Sequence, residues 1–187
     1  MKPHYELRHH CKKYRCSFHL DWVGKNMEIW LILPVLLGIL VLPVHAQSSG
    51  EAVVTVAAVL EDFHKAASEA DGARYFGHFT ENAIFLGTDA TERWTVDEFR
   101  AYARPHFDAG RGWTYVATER NVFLAEDGQT AWFDERLANE GLGECRGSGV
   151  LVLEEGRWKI AQYNLTIPIP NDLAQEVVEK IRSLKPD

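Results

Sequence analysis

The chain has 187 residues, of which 46% are hydrophobic, 11% aromatic and 25% charged, with a formal net charge of −7. This composition is typical of one globular domain and excludes disordered, collagen-like and disulfide-dense chains. Residues 1–46 carry a net charge of +3, whereas residues 47–187 carry −10. Because so acidic a body repels a phosphate backbone, the charge argues against nucleic acid as a partner.

An apolar segment near the N-terminus predicts export. Residues 29–44 hold no charge, and the small residues Val44 and Ala46 occupy the −3 and −1 positions of a cleavage site. The segment is shorter than the ~20 residues that a membrane-spanning helix needs. We therefore expect residues 1–46 to be a signal peptide cleaved after Ala46, which gives a secreted or periplasmic protein. The alternatives are a buried core helix and an uncleaved anchor, and only the anchor would place the protein at a membrane.

The start of this signal peptide is unusual. Residues 1–26 are long for its charged region, so we hypothesise that translation begins at Val23. Cleavage after Ala46 also removes Cys11 and Cys16 and leaves Cys145 as the sole cysteine. Because an intramolecular disulfide is then impossible, core packing must stabilise the mature domain.

The first half of the mature chain predicts helices. Residues 47–52 are expected to be a polar linker before a domain that spans residues 53–187. The spacing of apolar residues predicts helices over residues 52–70, 73–79 and 96–107, with a strand over residues 82–87. Thr95 and Glu98 have the spacing of a capping box at the start of the third helix.

The second half predicts an antiparallel sheet. The pairs Asp127-Gly128 and Glu155-Gly156 are typical of tight turns between strands. They separate four predicted strands, over residues 113–125, 130–138, 145–154 and 157–166. An amphipathic helix over residues 171–184 is predicted to end the domain, so the fold class is α+β.

Three segments of the chain resemble a known family. Residues 74–87, 146–153 and 156–164 are similar to those of a SnoaL-like domain of the nuclear transport factor 2 (NTF2-like) superfamily, over about residues 53–170. The resemblance implies an NTF2-like cone, a curved antiparallel sheet wrapped around N-terminal helices, here with an extra C-terminal helix. It also implies an apolar cavity at the open end, frequent dimerisation through the sheet and small hydrophobic ligands. Asn164 stands where many members have a histidine, and an amide cannot shuttle a proton at neutral pH.

The turn at Glu155-Gly156 predicts the register of the last two strands. Counting back from it pairs Gly149 with Gln162 and Gly147 with Asn164. Two amide side chains are then opposite two glycines, whose lack of a side chain leaves space. We expect a ligand pouch there. The alternative is that the glycines only permit sheet curvature or a bulge.

The first hairpin has two largely apolar faces. Trp132 and Asp134 share one face, and Phe133 and Glu135 share the other. We expect the Trp132 face to line the cavity and another subunit to cover the second face, because a solvated face would be polar. The residues expected around the ligand are Tyr75, Trp94, Trp113, Tyr115, Trp132, Asp134, Gly147, Gly149, Gln162 and Asn164.

Candidate acids and bases are Asp134, Glu135 and His106. Burial in an apolar cavity would raise the pKa of a carboxyl group towards the value that a general base needs. Arg120 lies directly opposite Glu135 in the predicted hairpin, and we expect a cross-strand ion pair. The histidines of the mature chain have no metal-binding spacing, and no Gly-rich phosphate loop is present, so no metal or cofactor is expected.

These features favour a module that binds a small, largely apolar molecule. One alternative is a cofactor-free isomerase, dehydratase or cyclase, in which Asp134 or Glu135 is the base and Gln162 and Asn164 stabilise an oxyanion. Another is a homo-oligomeric assembly domain with an incidental cavity. A buried, unpaired carboxylate in the cavity would favour the enzyme.

Overall fold

The computed structural model describes residues 48–184, so the predicted signal peptide and its cleavage site lie outside the described residues. Helix α1 spans Ser49–Ser68, and the Ser48 side chain accepts a hydrogen bond from the Glu51 amide. The predicted linker over residues 47–52 is therefore wrong from Ser49 onward, because this serine cap starts the helix early. Within the described part, no helix has the length and apolar character needed to cross a membrane.

Within residues 48–184, three more helices follow α1. Helix α2 spans Gly72–Gly77, α3 spans Val96–Phe107, and α4 spans Ala174–Leu184 after a short 3-10 turn. The capping box of α3 is confirmed. Thr95 accepts from the Glu98 amide, and the Glu98 carboxylate accepts from the Thr95 amide at 2.8 Å.

Six strands form one curved sheet in the order β2-β1-β6-β5-β4-β3. Their bounds are Phe79–Leu86, Arg93–Thr95, Val116–Leu124, Thr130–Asn139, Gly143–Glu154 and Arg157–Thr166 for β1 to β6. Strands β3 to β6 form the predicted antiparallel meander, but β1 runs parallel to β6, so the sheet is mixed. The three-residue strand β2 was not predicted, because so short a segment carries no period of its own.

The inner face of the sheet packs against α1, α2 and α3. In β4 the buried residues are Ala131, Phe133, Glu135 and Leu137, while Trp132 and Asp134 point outward. The expectation that the Trp132/Asp134 face lines the interior is therefore wrong. Phe133 and Glu135 occupy that side, and helices of the same chain cover it, so the expectation that another subunit covers the Phe133/Glu135 face is also wrong.

A bulge in β6 changes the predicted register of the last hairpin. Near the turn the prediction is confirmed, since Leu151 pairs with Ile160. The next pair is Val150 with Gln162, so Ala161 is an extra residue. Beyond it Gly149 pairs with Tyr163 and Gly147 with Leu165. The side chains of Tyr163 and Leu165 therefore face inward, where those of Gln162 and Asn164 were expected. A one-residue insertion moves every later side chain to the other face.

A second bulge, at Thr118 in β3, has the same effect on the first hairpin. Ala117 pairs with Leu137 and Glu119 with Arg136, so Thr118 has no partner of its own. Before this bulge the chain presents Trp113 and Tyr115 to the interior, although they were expected to share the face of Trp132.

Candidate ligand cavity

An aromatic cavity of about 210 Å³ lies between α3, the β1–β2 hairpin and the segment before β3. Its wall includes Trp94 on β2, Tyr102 and His106 on α3, and Trp113 and Tyr115 in the segment before β3. Its remaining wall residues are Phe85, Gly87, Thr88, Glu92, Phe99, Leu142 and Leu165. The apolar rings predominate, so the cavity has the chemistry of a small-molecule site.

The rings on one side of the cavity are nearly parallel. Phe85 and Phe99 stack with centroids 3.9 Å apart and planes 18° apart. Trp94 stacks on Phe99 at 5.4 Å and 9°, and Tyr102 stacks on Trp94 at 4.9 Å and 25°. These rings therefore cover one another's faces, with Phe85 and Phe99 buried and Tyr102 exposed.

A glycine positions the part of the wall that holds Trp113 and Tyr115. A Cβ at Gly112 would lie 2.0 Å from the Ala67 carbonyl oxygen, so only glycine lets the chain pass this close to the end of α1. Trp113 then packs edge-on against buried Tyr75, with centroids 5.8 Å apart. Tyr115 follows in the same wall, and burial raises the pKa of its phenol. The wall is thus anchored in the core.

The polar groups of the cavity lie at its rim. The turn from Gly87 to Glu92 closes with a backbone hydrogen bond of 2.9 Å, and the Glu92 side chain folds over Gly87. His106 is exposed on the last turn of α3. Tyr102 is exposed as well, so polar and aromatic groups both lie at the opening of the cavity.

A small inner void of about 10 Å³ adjoins the cavity. It shares four wall residues with the cavity, namely Phe85, Trp113, Tyr115 and Leu165. Its other walls are Phe63, His64, Ala67, Tyr75 and Tyr163. A void of this size is at the lower limit for one water molecule.

Glu135 lies buried in the core beside this void, where three side chains donate to it. Oε1 accepts from His64 Nε2 at 2.7 Å and from the Tyr163 hydroxyl at 2.9 Å, and Oε2 accepts from Arg120 Nε at 2.8 Å. Burial raises the pKa of the Glu135 carboxyl, but the hydrogen bonds and charges of His64 and Arg120 outweigh it. The net effect lowers that pKa, so Glu135 is ionised at neutral pH.

Arg120 ties this cluster to α1. Its Nη1 donates to the Ala57 carbonyl at 3.2 Å and to Glu61 at 3.3 Å. The predicted cross-strand pair of Arg120 and Glu135 is confirmed. Within the described residues, Arg120 Nη2 and Trp158 Nε1 are the fully buried side-chain polar atoms that lack a partner.

The predicted glycine pouch is filled. A Cβ at Gly147 would lie 2.3 Å from the Tyr163 hydroxyl and 2.7 Å from Glu135 Oε1. At Gly149 it would lie 2.1 Å from the Gln162 carbonyl oxygen, which the bulge turns towards it. Both glycines therefore make room for protein atoms, and the expected ligand pouch is absent at these positions.

The predicted site residues divide into three groups. Trp94, Trp113, Tyr115 and His106 line the cavity, and Tyr75 lines the inner void. Gly147, Gly149 and Glu135 face the interior but not the cavity. Trp132, Asp134, Gln162 and Asn164 lie on the outer face of the sheet, away from the cavity, because of the register described above.

Sequence reasoning missed His64 and Tyr163. A signal for His64 was present, because it falls on the apolar stripe of α1 with Leu60 and Phe63. A histidine on the apolar face of a helix and a glutamate on the apolar face of a strand indicate a buried polar pair. Tyr163 had no such signal, since its orientation depends on the bulge. No cluster of three or more histidine, cysteine or acidic side chains suited to a metal ion occurs within residues 48–184.

Comparison with solved structures shows the fold. An NTF2-like protein of unknown function from Pseudomonas putida has a TM-score of 0.56 at 11% identity, with 66% of this chain and 92% of that chain covered. Two proteins from Novosphingobium aromaticivorans have TM-scores of 0.53. One is provisionally named an aromatic ring hydroxylase (18% identity, 64% and 91% covered) and the other a scytalone dehydratase (10%, 62% and 83%).

No curated protein matches the chain. The sequence profile of the SnoaL-like domain matches residues 56–170, which is more than half of the chain. This match shows that the chain belongs to the SnoaL-like domain family, and the similar solved structures show that its fold is NTF2-like.

Proposed function

We propose that this domain binds a small, flat, largely apolar molecule in the aromatic cavity. The observation that carries the proposal is the aromatic lining of the cavity, to which Trp94, Tyr102, Trp113 and Tyr115 contribute rings. Stacking on such rings favours planar molecules beyond the gain from burying apolar area.

The volume of the cavity indicates how large a ligand group it can hold. An apolar protein cavity of about 150 Å³ holds benzene, and sites for drug-sized ligands start at about 300 Å³. The cavity here has about 210 Å³. It therefore suits a molecule of one or two rings.

The alternative function, an enzyme that uses a carboxylate as its general base, has less support. Both oxygens of Glu135 accept hydrogen bonds, and its pKa is lowered by His64 and Arg120 against the effect of burial, whereas a general base near neutral pH needs a raised one. Asp134 is exposed on the outer face of the sheet. Neither carboxylate has the setting that the isomerase, dehydratase or cyclase alternative requires.

A matched pair of tryptophan variants tests the binding proposal. Indole serves as a planar two-ring probe, and its affinity is measured by calorimetry for the wild type, W94A and W132A. We expect W94A to weaken binding at least tenfold, because a stacked ring is lost, and W132A to bind like the wild type. Equal affinity of the two variants, or no binding to the wild type, would contradict the proposal.

We also propose that a second copy of the chain covers the outer face of the sheet. This face exposes Val116, Phe123 and Trp132, and the rings of Phe123 and Trp132 stack at 5.6 Å in contact with solvent. Exposed apolar patches of this kind are typical of interaction sites. In a two-fold dimer, the patch of one copy packs against the same patch of the other copy. Such a dimer leaves the aromatic cavity, on the other side of the sheet, open.

Export remains a proposal from the sequence. The mature protein would begin at Gln47, directly before the Ser48 cap of α1. N-terminal sequencing of protein secreted from its native source tests this. A first residue before Ala46 would contradict it.

A further inference from the structure

We infer that the cavity takes a positively charged ligand, a flat aromatic amine whose ring lies among the aromatic side chains and whose ammonium group lies against Glu92. This inference rests on the proposed function, since it adds the charge of the ligand to its aromatic part. Three features of the wall support it: a carboxylate without a charged partner, the aromatic rings that share the cavity with it, and the lack of lysine and arginine there.

The turn between β1 and β2 places the Glu92 carboxyl group in the cavity wall. Leu86 pairs with Arg93, and the Gly87 amide donates to the Glu92 carbonyl at 2.9 Å, so Gly87 lies opposite Glu92. A Cβ at Gly87 would lie 3.0 Å from Glu92 Cδ, which shows that the carboxyl group packs against this glycine. Gly87, Thr88 and Glu92 all line the cavity, so the carboxyl group lies at its rim.

One oxygen of this carboxylate is available to a ligand. Glu92 Oε2 accepts from the Asp89 amide at 3.1 Å, which holds the side chain in the turn. Oε1 has no hydrogen-bond partner within residues 48–184, and no basic side chain in that range forms an ion pair with Glu92. Glu92 is half-buried, so its charge is less well hydrated than that of a fully exposed acid. An ammonium group, which only donates hydrogen bonds, would supply the missing partner.

The aromatic side chains of the wall favour the same charge. Trp94 follows two residues after Glu92, and both line the cavity together with Tyr102, Trp113 and Tyr115. The faces of aromatic rings attract cations within about 6 Å of the ring centre, and tryptophan does so most strongly. An ammonium group at Glu92 therefore has aromatic faces in the same cavity for cation–π contacts.

The charges of the domain oppose an anionic ligand and favour a cationic one. Among the described lysines and arginines, none lines the cavity. His106 is the basic side chain of the wall, and it is exposed to solvent. Residues 47–187 carry a net charge of −10, so the field of the domain attracts cations and repels anions.

Three indoles that differ in the charge of one side group test the inference. Tryptamine carries an ammonium group, tryptophol has a hydroxyl group in its place, and indole-3-acetate has a carboxylate. We expect the wild type to bind tryptamine about tenfold more tightly than tryptophol, which is the typical combined effect of a partly exposed ion pair and a cation–π contact. Indole-3-acetate should bind most weakly. Calorimetry measures the three affinities at about pH 8, above the range in which histidine ordinarily carries a charge.

A matched pair of variants tests whether this preference depends on Glu92. E92Q removes the charge but keeps an oxygen that accepts from the Asp89 amide, so tryptamine and tryptophol should bind equally well, with the affinity for tryptophol unchanged. E126Q changes the net charge by the same amount in the exposed turn between β3 and β4, and Glu126 does not line the cavity. The preference should remain in E126Q. Its loss from both variants, or its retention in both, would overturn the role of Glu92.

A measurement on the wild type is independent of any effect of E92Q on folding. Raising the salt concentration from about 0.01 M to about 0.15 M should weaken the binding of tryptamine but not of tryptophol, because salt screens an ion pair at the rim. If the wild type binds tryptophol as tightly as tryptamine, or salt has no effect on tryptamine, this inference is wrong and the aromatic site stands. If none of the three indoles binds, the proposed function fails, and this inference fails with it.

Discussion

His64 Nε2 lies 2.7 Å from Glu135 Oε1, and the two side chains are buried although 71 positions separate them in the chain. The contact joins α1 to β4, which lies next to the edge strand β3 of the sheet. Because Tyr163 and Arg120 donate to the same carboxylate, one acidic group connects α1, β3, β4 and β6.

Removal of the Glu135 carboxylate should destabilise the fold strongly. E135A leaves the buried side chains of His64 and Arg120 without their acceptor, and breaking a buried ion pair typically costs about 3–5 kcal/mol. The matched variant D134A changes an exposed acid on the neighbouring residue and should stay within about 0.5 kcal/mol of the wild type. Urea unfolding measures both free energies. Similar losses in the two variants would contradict a structural role for the cluster.

The same carboxylate predicts how stability depends on pH. His64 and Arg120 lower the pKa of folded Glu135 from its ordinary 4.5, against the opposing effect of burial. The unfolded state then binds more protons as the pH falls below 4.5, so the contribution of Glu135 is fully present above that value and is lost as the pH approaches the folded pKa.

The measurement is the free energy of unfolding as a function of pH, from neutral to acid. Compared with the wild type, E135Q should lose less stability on acidification, because its amide does not titrate. Asp62, Glu98 and Asp127 also have lowered pKa values, but they titrate in both proteins and cancel in the difference. Parallel curves would show that Glu135 is not ionised in the fold.

A methyl group at Gly147 should disturb the cluster. G147A places a Cβ within 3 Å of the Tyr163 hydroxyl and of Glu135, and overpacking of this kind typically costs about 1–3 kcal/mol. Gly141 is a suitable control, because the nearest atom to its Cβ would be Asn139 Oδ1 at 3.6 Å. Thermal unfolding should show a clear loss for G147A and little change for G141A. If G147A is as stable as the wild type, the side chains around Glu135 can rearrange without a loss of stability, which contradicts this prediction.

The proposed dimer predicts a mass change for one outer-face variant. W132K places a charge in the middle of the exposed patch and should convert the dimer to a monomer, because burying an unpaired charge is costly. V54K makes the same kind of change on an exposed position of α1, where it should leave the dimer intact. Sedimentation equilibrium reports both masses. A wild-type monomer would refute the dimer.

Local features of this fold follow from the sequence alone. The capping box of Thr95 and Glu98 depends on four consecutive residues, and the structure has it. The turn at Glu155-Gly156 needs two residues with positive φ, and they have values of 50° and 75°. From that turn the register is correct as far as Leu151 and Ile160, because each pair depends only on its distance from the turn.

The candidate site depends on features that no local pattern contains. The bulges at Thr118 and Ala161 each exchange the faces of a strand, which brings Tyr115 and Tyr163 inside and leaves Gln162 and Asn164 outside. A bulge forms where the inward side chains pack better after the exchange, and that depends on the helices they meet. The pairing of His64 with Glu135 likewise requires α1 to lie against the sheet. The sequence by itself therefore determines the helices, turns and family of this protein, whereas tertiary packing decides which side chains surround its cavity.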